Sequence, residues 1–323
     1  MVSRSNVARI LGLPDEISPL IEFFLSTDEI KAILSLSDQL LIDKDDKAPE
    51  VPSLVESTTI QDRLSRKGLI HKANGVIKIK TGIDCLWALL LNAVEDDTYI
   101  PSNELNLANG FLRSYYSNAV KEHLDQYRIF PLLEAFLPRY QSAENQDNVL
   151  AILENAKTIV QRPCRCREIL QNCLRPTDTC LVLNDPMAYD IARGQAKLID
   201  LERAEAILHG SFRNGNVLIL HQEDPEDHHA RMELHSCCSC CSVLLGAIKD
   251  LTTSETIHMP KLVAEVDPSK CNGCATCKEV CMFGARRLVG GVCHVDLSHC
   301  VGCGLCIPWC TERAVRMARK EII

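Results

Sequence analysis

Apolar residues in the first third of the chain recur at helical spacing, interrupted by one clear alternating stretch. "DEIKAILSLSDQL" (28–40) has a helix pattern, and "STDE" (26–29) ahead of it offers a capping box of Ser26 with Glu29. "STTIQDRLSRKG" (57–68) predicts a second helix, with Thr58 and Gln61 as another box and Gly68 as its stop. "LIHKANGVIKIK" (69–80) then switches to two alternating runs joined by Asn74-Gly75, the dipeptide of a tight hairpin turn. Helix, helix and two-stranded wing is the winged-helix order, expected over about 20–82. "CLWALLLNAV" (85–94) is too short for a membrane span and predicts a buried helix.

From 83 to 160 the pattern is mostly helical, including "NELNLANGFLRSYYSNAVKEHL" (103–124) and "NQDNVLAILENAKTIV" (145–160). Residues 161–260 hold "PCRCREILQNCLRPTDTC", a helix near 200–211, strand-like "NVLILH" (216–221), and the acidic loop "QEDPEDHHARMEL" leading into "HSCCSCC" (235–241). The last segment opens on strand-like "KLVAEVD" (261–267). The expected fold class is therefore α+β, in three domains. These are a helical, winged-helix-like domain over 1–100, a mostly helical cysteine-bearing middle domain over 101–260, and a C-terminal domain over 261–323.

The chain has 323 residues, 46% hydrophobic and 24% charged, enough apolar content for ordinary cores. No apolar run reaches the roughly 18–20 residues of a span, and the first residues lack the pattern of a secretory signal, so the cytoplasm is the expected compartment. The 18 cysteines change the picture, because in a reducing compartment clustered thiols point to metal rather than to disulfides. A net charge of −8 argues against nucleic acid as a general partner. The charge is uneven. Residues 261–323 carry nine Lys and Arg against six Asp and Glu, a balance of +3 that leaves −11 for the rest. A basic surround of that kind would offset an anionic cofactor or steer an acidic partner.

Eight of the cysteines repeat one spacing. Cys271, Cys274, Cys277 and Cys281 follow C-x2-C-x2-C-x3-C, and Cys300, Cys303, Cys306 and Cys310 follow it again 29 residues later. Three thiolates on a tight loop can hold three irons of one cubane, while the fourth lies beyond the loop and serves the other cluster. The expected ligand sets are Cys271, Cys274, Cys277 and Cys310 for one [4Fe-4S] cluster, and Cys300, Cys303, Cys306 and Cys281 for the other. Gly273, Gly302 and Gly304 let the backbone turn and bring amides to the sulfurs. Zinc in paired CxxC knuckles is the competing reading, and the duplicated four-cysteine spacing counts against it. This stretch resembles a bacterial-type ferredoxin with two [4Fe-4S] clusters, except that Met282 and Thr311 stand where such proteins usually have proline after the fourth cysteine.

Ten cysteines remain. Cys85 and Cys293 lie in apolar surroundings and are expected to be small buried hydrophobes rather than ligands. Cys164, Cys166, Cys173 and Cys180 form one group, and Cys237, Cys238, Cys240 and Cys241 a second. Neighbouring side chains diverge in a helix or strand, so "CCSCC" is not expected to close one small site by itself. The two segments are expected to come together and share sites. Eight thiols suffice for two clusters, or for one cluster and a redox-active or open-site group. Arg165 and Arg167 would offset cluster charge, bind an acidic group, or simply face solvent. Of His221, His228, His229 and His235, only His235 directly flanks the cysteines and is a candidate ligand.

"RPCRCREILQNCLRPTDTCLVLN", "ARGQAKLIDLERAEAIL" and "HSCCSCC" before a ferredoxin-like tail are similar to a family of iron–sulfur proteins from anaerobes. His235 and Ser242 occupy positions where that family has cysteine. The resemblance implies one or two additional iron–sulfur clusters within 161–260.

The expected function is a multi-cluster carrier passing low-potential electrons to or from a partner oxidoreductase. No dinucleotide or Walker motif is present, and the acidic runs Glu95-Asp96-Asp97 and Asp43–Asp46 look like solvated loops, so no catalytic residue is singled out. Two alternatives stand beside the carrier: an iron–sulfur reductase with its catalytic cluster in the middle domain, and a redox-responsive regulator whose winged helix binds DNA. The second would rely on Arg63, Arg66 and Lys67 with Lys72, Lys78 and Lys80, a thin basic patch. Redox proteins are the expected partners, membranes and nucleic acid are not, and a homo-oligomer is left open.

Overall fold

The structure, a computed structural model, describes residues 4–40, 58–73, 76–79, 81–131, 149–185, 191, 194–227, 229–251 and 262–319. It has both helices and sheets, as the α+β expectation requires. It separates into two compact units, Met1–Tyr115 with Glu168–Leu170, and Tyr116–Arg167 with Gln171–Ile323. No helix among the described residues is long and apolar enough to cross a membrane.

The first unit opens with α1 (Arg4–Ile10), a 3-10 turn over Asp15–Leu20, and α2 (Ile21–Phe24). The capping box starts α3 (Thr27–Leu40): the Ser26 amide donates to the Glu29 carboxylate at 2.7 Å, and the Glu29 amide donates to Ser26 Oγ at 3.3 Å. The second helix, α4 (Thr58–Arg66), ends at Gly68 with φ +66°. Gly68 N–H donates to the Ser65 carbonyl and Leu69 N–H to that of Leu64, so the left-handed residue closes a Schellman motif. The side chains of Thr58 and Gln61 lie outside the description. β1 (Ile70–Ala73) and β2 (Val76–Ile79) pair antiparallel with Ala73 opposite Val76, a register that demands the two-residue connection expected there. Asn74 and Gly75 themselves lie outside the described residues. α5 (Gly82–Glu95) buries Cys85, Leu86, Trp87, Leu89, Leu90 and Ala93, so Cys85 occupies an apolar helix face as expected.

The unit boundary falls within α6 (Ser102–Glu122). Beyond it the expected helices surround a six-stranded antiparallel sheet of which only one strand was expected. The elements are β3 (Tyr127–Phe130), α7 (Val149–Asn155), β4 (Ile159–Arg162), α8 (Arg165–Leu170), β5 (Cys180–Leu183), β6 (Lys197–Leu198), α9 (Leu201–Arg213), β7 (Val217–Gln222), β8 (Met232–Cys237) and α10 (Val243–Asp250). Strand order is β3-β7-β8-β5-β4-β6, every pair antiparallel. β4 and β5 are buried at all four positions, so they read as short apolar runs without alternation, and such runs do not separate strand from buried helix. The core of this unit gathers Leu181, Leu183, Leu218, Leu220 and Leu234 from the sheet with Leu208 of α9 and Leu245 of α10.

The C-terminal segment has two halves. β9 (Leu262–Val266), α11 (Thr276–Glu279), the hairpin of β10 (Arg286–Val289) and β11 (Val292–Val295), and β12 (Val315–Arg319) follow in order. β9 pairs with β12, joining the start of one half to the end of the other. Val301 and Leu305 of the second half pack into the same core as the six-stranded sheet.

Candidate metal centres

The 29-residue repeat is visible in the hydrogen bonding. Asp267 accepts from the Ser269 amide and hydroxyl at 3.0 and 2.6 Å, and Asp296 accepts from the Ser298 amide and hydroxyl at 3.0 and 2.5 Å. The Cys271 and Cys300 amides donate to the carbonyls of those same aspartates. The halves then cross: Asp267 N–H donates to the Ala314 carbonyl, and Asp296 N–H to that of Ala285, each at 2.8 Å. Ala314 and Ala285 lie four residues beyond Cys310 and Cys281. Each fourth cysteine is thereby carried to the opening loop of the opposite half.

A cavity lined by Cys271, Cys274, Cys277 and Cys310, with Cys293, Trp309 and Glu312 among its other walls, results from this crossing. Two sulfurs receive backbone donors, Cys271 from Cys293 N–H at 3.4 Å and Cys310 from Ala314 N–H at 3.3 Å. Gly273 has φ +73°, and a Cβ there would stand 2.3 Å from the Gly291 carbonyl oxygen, so the loop closes against the hairpin only with glycine. Cys293 is buried with its sulfur 3.2 Å from that of Cys277. Burial and this second thiol push Cys277 up to about 12. Cys274 is exposed.

On the other side, Cys303 and Cys306 each interact electrostatically with both Cys300 and Cys281. Burial pushes Cys303 far up, while burial opposed by Arg286 leaves Cys306 raised to about 11. Arg286 is 5% exposed and donates from Nη2 to the Cys306 sulfur at 2.6 Å. Sequence reading had counted it only among the surrounding basic residues. The available signal is the repeat itself, which aligns Arg286 with Val315, a charge against an apolar core position.

The middle cysteines part into two groups, each drawing on both chain segments. Cys173 joins Cys238, Cys240 and Cys241, with all four sulfurs within 4.8 Å of one another and Cys173 3.7 Å from Cys241. The obstacle expected for adjacent residues is met by geometry: residues 239–241 form a turn, so Cys240 and Cys241 can face one point, and Cys237 at the end of β8 is left out. Arg175 Nη1 lies 3.4 Å from the Cys240 sulfur, and Asn172 Nδ2 donates to the Cys240 carbonyl at 3.0 Å. Burial opposes ionisation of Cys173, but the Arg175 amide, Cys240, the Arg175 side chain and Cys241 outweigh it and hold the thiol at about 6.

The second group holds Cys164, whose thiol interacts with those of Cys166 and Cys180 and is raised to about 11, chiefly by Cys166. His235 adjoins Cys180, and Cys237 is close enough to feel both Cys180 and Cys164. Arg167 is buried, donating to the Pro176 carbonyl and Thr179 Oγ1, both at 2.6 Å, and to the Ser236 carbonyl, beside Cys238. It braces the site from within, which excludes the solvent-facing reading. Ser242 uses its hydroxyl to cap α10, accepting from Leu245 N–H at 3.1 Å. His221 stacks on Tyr127 with ring centroids 4.6 Å apart and belongs to the β3–β7 register rather than to a thiol group. His229 lies in a turn, its amide donating to Asp227, and His228 is outside the described residues.

These donor sets suit thiophilic metals: grouped cysteines, partly or wholly buried, with backbone N–H donors and arginines at hand. Comparison with protein-family models, with curated proteins and with solved structures finds no match.

Proposed function

We propose that this chain is an electron carrier holding two [4Fe-4S] clusters in residues 262–319, one on Cys271, Cys274, Cys277 and Cys310 and the other on Cys300, Cys303, Cys306 and Cys281. The supporting observation is the crossed cavity, in which the fourth cysteine of one repeat stands with three of the other. Such clusters store and pass single electrons at potentials set by charge and hydrogen bonds around the sulfurs. The protein's part is to hold eight thiolates, donate backbone amides to Cys271 and Cys310, and keep water from Cys300 and Cys306.

The two sites have different surroundings. The first is open at Cys274 and Trp309, the side on which a partner would deliver or remove an electron. The second is bordered by Val301 and Leu305, which pack with the middle sheet. A third cluster belongs on Cys164, Cys166 and Cys180, with His235 and Cys237 as neighbouring donors. The partner is a separate oxidoreductase, and the compartment is the cytoplasm.

The regulator alternative loses support at its basic patch. Lys67 donates to the Phe24 carbonyl at 2.6 Å and to Glu29 at 3.0 Å, and Arg63 stands 3.8 Å from Glu29. Lys72 and Lys78 have side chains outside the description, and Lys80 is outside the described residues.

Electron paramagnetic resonance of the anaerobically purified, dithionite-reduced chain tests the proposal. Two interacting reduced cubanes are expected. Cys274→Ser and Cys303→Ser should each alter one of the two signals. A spectrum without reducible clusters, or one unaffected by both substitutions, would overturn it.

A further inference from the structure

We infer that Cys173, Cys238, Cys240 and Cys241 hold a single tetrahedral divalent ion, Zn2+ or Fe2+, rather than an iron–sulfur cubane. This departs from the expectation of a cluster at these cysteines and does not depend on the electron-carrier proposal.

Distance is the first argument. A zinc–thiolate bond is about 2.3 Å, so a tetrahedral angle sets two sulfurs on one ion about 3.8 Å apart. The four sulfurs here lie within 4.8 Å of one another, and Cys173 and Cys241 are 3.7 Å apart. In a cubane each thiolate binds a different iron at the outside of the core, so the four sulfurs are separated by the width of the whole Fe4S4 unit. This spacing is close to that of four thiolates on one ion and well short of that around a cubane. The crossed C-terminal sets show no such close four-sulfur group among the described residues.

Charge is the second. One divalent ion on four thiolates has a net charge of −2. Two arginines stand at this site, Arg175 with Nη1 3.4 Å from Cys240 and buried Arg167 beside Cys238, so the local charge is balanced. Chain topology is the third. Cys173 follows α8, while the other three ligands lie on the turn between β8 and α10, so the ion ties two segments 65 or more positions apart in sequence. A closed four-thiolate shell has no open position for substrate, and its role is to fix the turn that follows β8, the strand from which Cys237 and His235 reach the neighbouring sulfur group.

The test uses the full chain purified anaerobically. Zinc-edge X-ray absorption should show four sulfur neighbours at about 2.3 Å if the ion is zinc. If it is iron, Mössbauer spectra should contain one mononuclear tetrathiolate iron in addition to the cluster iron. Cys241→Ser should then remove about one metal ion per chain and leave acid-labile sulfide unchanged. Loss of about four irons together with their sulfides in that variant would overturn the inference. So would wild-type protein with neither zinc–sulfur coordination nor mononuclear iron, and this spectroscopic arm remains decisive even if the variant does not fold.

Discussion

Arg286 is the residue on which the chemistry of the C-terminal segment turns. Its guanidinium is buried, donates to Cys306, and has Nη1 without a hydrogen-bond partner among the described residues. A fixed positive charge there favours the reduced, more negative state of a cluster on Cys306. Arg286→Met is expected to move the midpoint potential of that cluster to more negative values and to shift the other less. Arg286→Lys should retain most of the wild-type value. Every ~1.4 kcal/mol of lost attraction shifts a one-electron couple by about 59 mV, so a redox titration followed by electron paramagnetic resonance resolves the effect. Gly273 acts by geometry instead. Gly273→Ala brings a methyl group against the Gly291 carbonyl at a positive φ, so loss of about four irons from the first site is expected, with the second retained. Iron and sulfide analysis of the variant would show this. At this scale the grouping of the repeat cysteines was legible because spacing encodes it, whereas the Cys306 contact of Arg286 depends on how β10 meets the second loop.

Among the elements, the start of α3 was readable to the individual hydrogen bond, since a capping box is a local event between Ser26 and Glu29. The sequence could not show that Lys67, 38 positions away, also reaches Glu29. Glu29 is buried, and burial alone would raise its pKa. The Ser26 amide and Lys67 outweigh that and hold it below the usual carboxylate value. With the folded pKa depressed, the stabilisation is present above the unfolded value near 4.3 and is lost as pH falls through the folded one. Glu29→Gln is expected to destabilise the N-terminal unit by about 1–3 kcal/mol at neutral pH, with the difference from wild type vanishing in acid. Denaturant titrations at pH 7 and pH 3 check both parts; an equal loss at both would contradict the assignment. The sheet was far less legible. Its strands are short, and two of them, β4 and β5, are buried throughout, so long-range pairing of such runs leaves no period in the sequence. The division of "CCSCC" between two groups likewise follows from the turn after β8, not from cysteine spacing.

For the molecule as a whole, the two C-terminal cysteine sets differ in exposure. Cys274 is exposed and its cavity opens beside Trp309, while Cys300 and Cys306 are buried. Controlled exposure to air should therefore degrade the cluster on Cys271, Cys274, Cys277 and Cys310 first, seen as loss of one resonance before the other. Simultaneous loss would argue against this polarity. Within the C-terminal segment Lys270 pairs with Asp267 and Arg316 with Glu265, and the balance of +3 is unchanged by these internal pairs. The most direct test of the central claim is the iron and acid-labile sulfide content of the anaerobically purified chain, with Mössbauer spectra of the same sample. About twelve irons with matching sulfide are predicted, eight of them in the two cubanes proposed on the eight repeat cysteines. A chain carrying zinc throughout, or iron without labile sulfide, would contradict the electron-carrier account.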